Sequence, residues 1–379
     1  MSGLFNQTED QQSLVELVRD FMNKEIKPHV LEWEKEGHYP REVIRQGIEM
    51  GFHMMQVPEE YGGMGLDTTT TSMLIEEGAK VESTYMSMFN VTSMGGKIVM
   101  AAGNEEQKQY YSSLLQKGYL SAFCLTEPGA GSDSAAVRTT AVRKGDAYVI
   151  NGAKMFITNA SLASVFLVVA SVDPSKGSRG LATFIVEKDR PGVQVSKKIE
   201  KFGMRLSNTA EVVFEDVKIP LDHLIGTEET GFANAMKVLT ASRPIVAASS
   251  LGACQLARDL AVQYSKERVA FGKPICAKQM IQEKLANMEI LIQAARGLVY
   301  NATMLLDQGK PCTAEASIAK CFTTEAYWKI ADDAVQIFGG YGLCDEYLIS
   351  KLYRDSRVNR IVEGTNEIQR VIIAKAMLR

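Results

Sequence analysis

The sequence predicts an α+β protein built as an N-terminal helical domain (residues 1–120), a middle antiparallel β domain (121–226) and a C-terminal four-helix bundle (227–379). Three observations predict it. Apolar residues recur at helical spacing through the first region. Short β-rich runs, separated by turn residues, fill the stretch from Ser121 to about Val217. Long apolar stripes at three- and four-residue steps then occupy the remainder.

In the first region, Leu14, Leu17, Val18 and Phe21 share one helical face. That helix is expected to stop before Pro28, whose ring disfavours helix at the preceding residue. The glycine-dense segment Val57 to Asp67 reads as a loop. Helical patterning resumes over Thr71 to Ala79, Tyr85 to Ala102 and Asn104 to Gln116. The β-rich runs lie at 147–152, 164–172, 182–187, 193–198 and 211–217, punctuated by Lys144-Gly145-Asp146 and by Pro174 to Gly180. In the last region Ile281, Leu285, Met288, Ile292, Ala295 and Val299 form a continuous stripe. Thr313 is placed to cap the next helix, which runs through Ile318, Phe322, Trp328 and Ile337. Long helices with such seams suit a bundle.

At 379 residues the chain is too long for one ordinary core. Its 46% hydrophobic and 23% charged residues are those of a globular protein. The net charge of -3 offers no basic excess, which excludes nucleic acid as a partner. The N-terminus lacks a basic stretch followed by an apolar one, and no uncharged apolar run reaches the roughly 18 residues a membrane helix needs. A cytoplasmic protein without membrane insertion is expected. The six cysteines include no C-x-x-C pair, so reduced thiols are expected rather than disulfides or zinc. The four histidines lie outside every glycine-rich segment and show no H-x-x-H spacing, so no metal is expected. A G-x-S-x-G elbow with a histidine partner is also missing.

Three segments carry chemistry. Phe123 to Asp133 contains Gly129-Ala130-Gly131-Ser132. Glycines let a backbone approach a phosphate. However, a dinucleotide fingerprint would need a third glycine and a helix to follow, and strands follow here. A plain surface turn is the competing reading. Gln336 to Leu343 holds three glycines in four positions, more than one helix stop requires. Near the C-terminus, Glu363 lies between the apolar pair Ile361-Val362 and Gly364. A carboxylate in such a setting is a candidate base whose pKa an apolar site would raise, and a solvated glutamate ahead of a helix is the alternative.

Together these segments resemble the acyl-CoA dehydrogenase family. One family signature is similar to Cys124-Leu125-Thr126-Glu127 with Gly131-Ser132-Asp133. A second is similar to Gln336, Gly339-Gly340, Gly342, Glu346, Lys351 and Asp355. Lys154 to Asn159 resembles the flavin-facing strand, and Arg268 to Ile275 resembles the R-x-x-F-G-x-P-I stretch. Their order matches across essentially the whole chain. The resemblance implies FAD as cofactor, with Phe123, Leu125 and Thr126 lining the isoalloxazine ring, Phe156 packing on it and Thr158 near its N5. It implies that Ser132 contacts the pyrophosphate or the CoA moiety. Many relatives carry tryptophan where Phe156 stands. Arg268, Phe271, Gln279, Gln336, Gly339 and Gly340 resemble positions binding the ADP half of a neighbouring subunit's FAD, with Thr365 and Glu367 on its pyrophosphate–ribose side. Arg243 resembles a residue near the CoA nucleotide.

By the same resemblance Glu363 is the catalytic base, in E-G-T. Some branches carry the base just before the arginine matching Arg243, but Ser242 stands there and cannot act as a carboxylate. The implied reaction is α,β-dehydrogenation of an acyl-CoA to the 2-enoyl-CoA, with electron-transferring flavoprotein as acceptor and a homotetramer as the assembly. The family places its acyl pocket along Thr84 to Ser93, which gives Met86, Phe89 and Asn90 as substrate contacts beside Val362 and Gly364. A glutaryl-type enzyme carries arginine where Met86 stands, and many straight-chain enzymes carry tyrosine where Val362 stands. A short, branched or alicyclic acyl group is expected. An oxidase on the same fold and a non-catalytic CoA-binding assembly protein are the alternatives.

Overall fold

The computed structural model describes residues 7–378, so Met1 to Asn6, part of the stretch searched for a leader, lie outside it. Helix α1 (Glu9–Phe21) opens on a capping box in which Thr8 and Gln11 exchange side-chain-to-backbone hydrogen bonds. The path does not break cleanly before Pro28. It passes through a π turn at Met22–Ile26 and a 3-10 turn at Lys27–His29 into α2 (Val30–Glu36) and α3 (Arg41–Glu49). A 3-10 turn accommodates Pro28 because its early positions need no N–H donor. Helices α4 (Thr68–Ala79), α5 (Ser83–Ala102) and α6 (Glu105–Gln116) complete the region.

The middle region is one eight-stranded sheet. Its strands are β1 (Leu120–Cys124), β2 (Thr140–Lys144), β3 (Ala147–Thr158), β4 (Ala163–Ser171), β5 (Leu181–Glu187), β6 (Val193–Val195), β7 (Thr209–Pro220) and β8 (Leu224–Ile225). The order is β6-β7-β3-β2-β4-β5-β8, antiparallel except where β4 meets β2 and β1. Strand β4 is apolar from Val165 to Ala170 because both its faces are covered. Phe166 and Val168 pack into the sheet's own core, while Val165 and Leu167 pack with Ile98, Tyr111 and Leu115 of α5 and α6.

The C-terminal region is built on α7 (Gly231–Glu267), α8 (Gln279–Asp307) and α9 (Thr313–Phe338), with the short hairpin β9 (Val269–Ala270) and β10 (Lys273–Pro274) between the first two. Two shorter helices, α10 (Leu348–Asn359) and α11 (Asn366–Met377), pack on α9 and complete the bundle. Helix α7 is long and apolar enough to cross a membrane, yet 67% of that apolar window is buried inside the protein. Its composition is that of a bundle's central helix. Gly252 on α7 shows the closeness of the packing, since a Cβ there would sit 2.2 Å from the Glu76 carbonyl oxygen of α4.

A buried charge cluster ties the regions together. Lys351 Nζ on α10 lies 2.8 Å from Glu82 Oε1 and 2.5 Å from Asp355 Oδ2. Glu82 Oε2 accepts from the N–H groups of Thr84 and Tyr85, so the same carboxylate caps α5. Asp355 Oδ1 accepts from the Met204 N–H of the loop between β6 and β7. Burial pushes the Glu82 carboxyl up, but the Lys351 ammonium and its hydrogen bonds outweigh it and leave the group below its ordinary value. For a depressed carboxyl, stability is present above the unfolded pKa and is lost as pH falls through the folded one. Replacing Lys351 with methionine leaves two buried carboxylates unpaired, and urea denaturation is expected to show a loss of about 3–5 kcal/mol at neutral pH. The wild type is expected to weaken as pH drops below about 4.

Candidate active site

Glu363 stands in the turn between α10 and α11. It is left-handed (φ 57), and Gly364 after it is also left-handed (φ 87). Glycine takes that conformation freely, whereas a residue with a Cβ meets a cost of roughly 1–2 kcal/mol. The turn is held by Gln369, whose Nε2 donates to Glu363 O (3.2 Å) and Gly364 O (2.9 Å). This geometry sends the carboxylate inward to α7, where Glu363 Oε2 accepts from Ser242 Oγ at 2.8 Å. Burial raises the Glu363 pKa, and the Ser242 hydrogen bond with the charges of Arg243 and Lys320 pulls it partly back. A partly buried carboxyl so placed, with its pKa raised, can accept a proton from a carbon acid.

The structure relocates three expected substrate contacts. Arg243 is only 6% exposed, with Nη1 at 3.5 Å from Ser317 Oγ and its Nε without a hydrogen-bond partner among the described residues. It lies inside the bundle, where it acts electrostatically on Glu363, and not on a surface open to a nucleotide. Met86 and Phe89 are fully buried in the N-terminal core. Met86 packs against Gly78 of α4, and Phe89 stacks edge-on against Phe52 and Tyr85. Ser87 of α5 faces α7, with its Oγ 3.4 Å from Ser249 Oγ. Asn90 is 8% exposed, and Val362, beside the carboxylate, is 37% exposed.

A second group of residues gathers where β1 ends beside β3. Met155 N–H donates to Thr126 O at 2.8 Å, which fixes the Leu125-Thr126 edge to β3. Beneath it the fully buried Lys154 bonds Glu127 Oε1 at 2.7 Å and Leu125 O at 3.1 Å. Glu127 in turn accepts from the N–H groups of Arg138 and Thr139. Phe156 sits on a bulge in the β3–β7 pairing, left-handed (φ 58) and 59% exposed. Phe123 and Thr158 are partly buried alongside, and Ser132 is exposed in the loop beyond. A Cβ added at Gly129 or Gly131 would meet nothing within 4 Å. A bare aromatic face beside a fixed backbone edge, with an open glycine loop, fits a planar heteroaromatic group carrying phosphates.

The remaining expected residues fall elsewhere. Arg268, Gly339 and Gly340 line a cavity of about 490 Å³ together with Tyr264 and Tyr341. Phe271 is 95% exposed on the hairpin, Gln279 is exposed at the start of α8, and Gln336 is exposed near the end of α9. Thr365 caps α11 by accepting from Ile368 N–H, and Glu367 is exposed in the first turn of that helix. Sequence reasoning missed Lys320, Gln369 and Lys154 as supports of the site, and treated Ser242 only as a residue unable to be the base.

Fold and site together set a carboxylate-bearing turn against a helical bundle beside a central sheet, and comparison with known proteins gives the family. Residues 8–118, 122–217 and 229–378 match the N-terminal, middle and C-terminal domains of acyl-CoA dehydrogenases. An acyl-CoA dehydrogenase of Bacillus subtilis is 43% identical over 98% of both chains. A 3-(aryl)acrylate reductase of Clostridium sporogenes is 42% identical over 98% of this chain and 99% of its own. The structure of butyryl-CoA dehydrogenase from Megasphaera elsdenii superposes with a TM-score of 0.96 at 40% identity, covering 99% of this chain and 100% of that one. The chain belongs to the acyl-CoA dehydrogenase family, a family of flavoproteins, and is an oxidoreductase acting on CH–CH bonds.

Ser242 gives this geometry a test. Ser242→Ala removes a hydrogen bond to the ionised carboxyl, so the Glu363 pKa must rise. The acidic limb of the kcat/KM–pH profile is expected to move to higher pH, with little change in rate on the plateau.

Proposed function

We propose that this chain dehydrogenates an acyl-CoA thioester to the trans-2-enoyl-CoA, with Glu363 as the base that takes the α-proton. The observation that carries the reading is the Glu363 carboxyl itself. It is turned inward by a left-handed residue, raised by burial, and kept within range by Ser242, Arg243 and Lys320. A thioester α-proton is too weakly acidic for an ordinary carboxylate at neutral pH. Burial makes the base stronger, and the backbone N–H of Glu363 supplies a donor to the developing enolate oxygen. One such preorganised donor contributes about 3–4 kcal/mol.

FAD, when bound, supplies the acceptor for the β-hydride. The chain's own part is to hold and orient it. Phe123, Leu125, Thr126, Phe156 and Thr158 meet the ring system, and Ser132 meets the pyrophosphate or the CoA. The set Arg268, Phe271, Gln279, Gln336, Gly339, Gly340, Thr365 and Glu367 takes the ADP half of a neighbouring copy's FAD. That requires at least a dimer, and a homotetramer satisfies it. The regions 1–120, 121–226 and 227–379 then act as three domains whose meeting line carries the site. Electron-transferring flavoprotein is the proposed acceptor of the electrons.

For the acyl group, the side chain beside the base is the small Val362. A short, branched or alicyclic chain is the substrate class we infer. The same groups serve the reverse direction, with protonated Glu363 returning the proton. The likeness to a 3-(aryl)acrylate reductase makes enoyl reduction the second reading.

Glu363→Gln is expected to lower dehydrogenation roughly 10²–10⁴-fold while the yellow flavin band of the purified protein is kept. A normal rate in a flavin-loaded Glu363→Gln protein overturns the reading. Turnover of butyryl-, isobutyryl-, octanoyl- and cyclohexanecarboxyl-CoA tests the substrate class. Octanoyl-CoA is expected to be the poorest of the four, and a clear preference for it defeats the assignment.

A further inference from the structure

Among the described residues three lysines are completely buried: Lys154, Lys320 and Lys351. Lys154 and Lys351 each touch a carboxylate within 2.8 Å. Among the described residues Lys320 makes no such ion pair. Its Nζ instead bonds Gly364 O at 3.0 Å and Asn366 Oδ1 at 2.9 Å. Gly364 lies in the turn that carries Glu363, and Asn366 opens α11 directly after it. The same face of α9 grips Asn366 again, through Thr324 Oγ1 at 3.0 Å from Asn366 Nδ2.

Two neutral oxygens do not offset the burial of an ammonium, which costs several kcal/mol. A neutral donor at this place would hold the turn at less cost. What the ammonium adds is charge, and the Glu363 carboxylate is the foremost group that holds its pKa up. We propose that Lys320 is a positioning residue of the active site, clamping the Gly364–Asn366 segment to α9 and lending Glu363 the positive charge that keeps it ionised in a partly buried setting. The proposal rests on Glu363 being the base.

The charged and titratable groups facing Lys320 come from each neighbouring element. Glu363 and Glu367, at the start of α11, and Cys321 on its own helix draw its pKa up, and Arg243 of α7 pushes it down. Burial dominates and lowers it to about 8, so the group remains an ammonium at neutral pH. Glu363 meets Ser242 and Arg243 from α7 and Lys320 from α9.

The test compares Lys320→Met, Lys320→Arg and Glu363→Gln holoenzymes on butyryl-CoA, with phenazine methosulfate as electron acceptor and flavin content measured by absorbance. Lys320→Met is expected to lower kcat roughly a hundredfold through misplacement of the base. Its acidic kcat/KM limb is expected to rise by about one pH unit through the lost charge. Lys320→Arg is expected to leave the limb where the wild type has it, because the charge is kept. A limb that does not move in flavin-loaded Lys320→Met overturns the proposal, since a merely structural lysine would change rate alone. Where Lys320→Met gives no soluble holoenzyme, Asn366→Ala removes half of the clamp and keeps the charge, so kcat should fall with the limb in place, and an undiminished kcat overturns the proposal. An active Glu363→Gln protein brings down both the base assignment and this inference. An inactive one beside an unmoved Lys320→Met limb brings down this inference alone.

Discussion

An ammonium group inside a protein is tolerable only where oxygens surround it, and this fold depends on that constraint at Lys351. Removing a lysine charge from water costs several kcal/mol, so the group dictates where Glu82 and Asp355 must be. Glu82 lies at the start of α5 and Asp355 lies on α10, 273 residues further along the chain (355 − 82). Asp355 also takes the Met204 N–H from the β region. One buried charge therefore sets the mutual placement of an N-terminal helix, a C-terminal helix and a loop of the sheet. Lys154 repeats the device on a smaller scale, since Glu127 and Leu125 O are bound to the same Nζ and the edge facing Phe156 is fixed as a result.

The carboxyl of Glu363 illustrates how such constraints become chemistry. Burial alone would drive it toward the neutral acid, and a neutral acid cannot take a proton. Ser242, Arg243 and Lys320 each favour the ionised form. Neither influence is useful alone: a base needs a raised pKa to be strong and a bounded one to be charged at working pH. The three opposing groups come from α7 and α9, the two most central helices of the bundle, so the balance is built into rigid elements rather than into the turn. Loops supply the reactive atom and helices supply its environment.

Much of this was legible in the sequence. The β-rich run at 164–172 reads as a strand, and the structure places the sheet core on one side of it and α5 with α6 on the other. The stripe from Ile281 to Val299 gave α8 because its period is helical and its outer face is polar. Glu363 could be singled out because an apolar pair and a glycine flank it. The orientation of α5 could not be read. Fourteen of its residues are buried, polar ones such as Thr84, Asn90 and Thr92 among them, so no polar face marks the outside and the helix carries no phase signal. Met86 and Phe89 were accordingly assigned to the pocket when they belong to the core. Strand β1 escaped notice because Leu120 to Cys124 is short and pairs in parallel with a strand roughly 40 residues away, which no local pattern reveals.

Lys320 was illegible for a different reason. In Ala316-Ser317-Ile318-Ala319-Lys320-Cys321-Phe322 a lone lysine reads as the solvent-facing residue of an amphipathic helix. The only hint is that its neighbours are small, which lets α9 lie close to other elements and leaves little room for a side chain to reach water. Small residues at Ala247, Ala248, Ala302 and Ala319 do pack together there with Val299. Close helix packing and the buried ammonium are thus two sides of one requirement. The turn holding Glu363 is left-handed and would relax if unsupported, so it must be bonded from a wall that does not move. A tightly packed bundle provides that wall, and a long side chain projecting from it reaches the carbonyl of Gly364 without bringing in water.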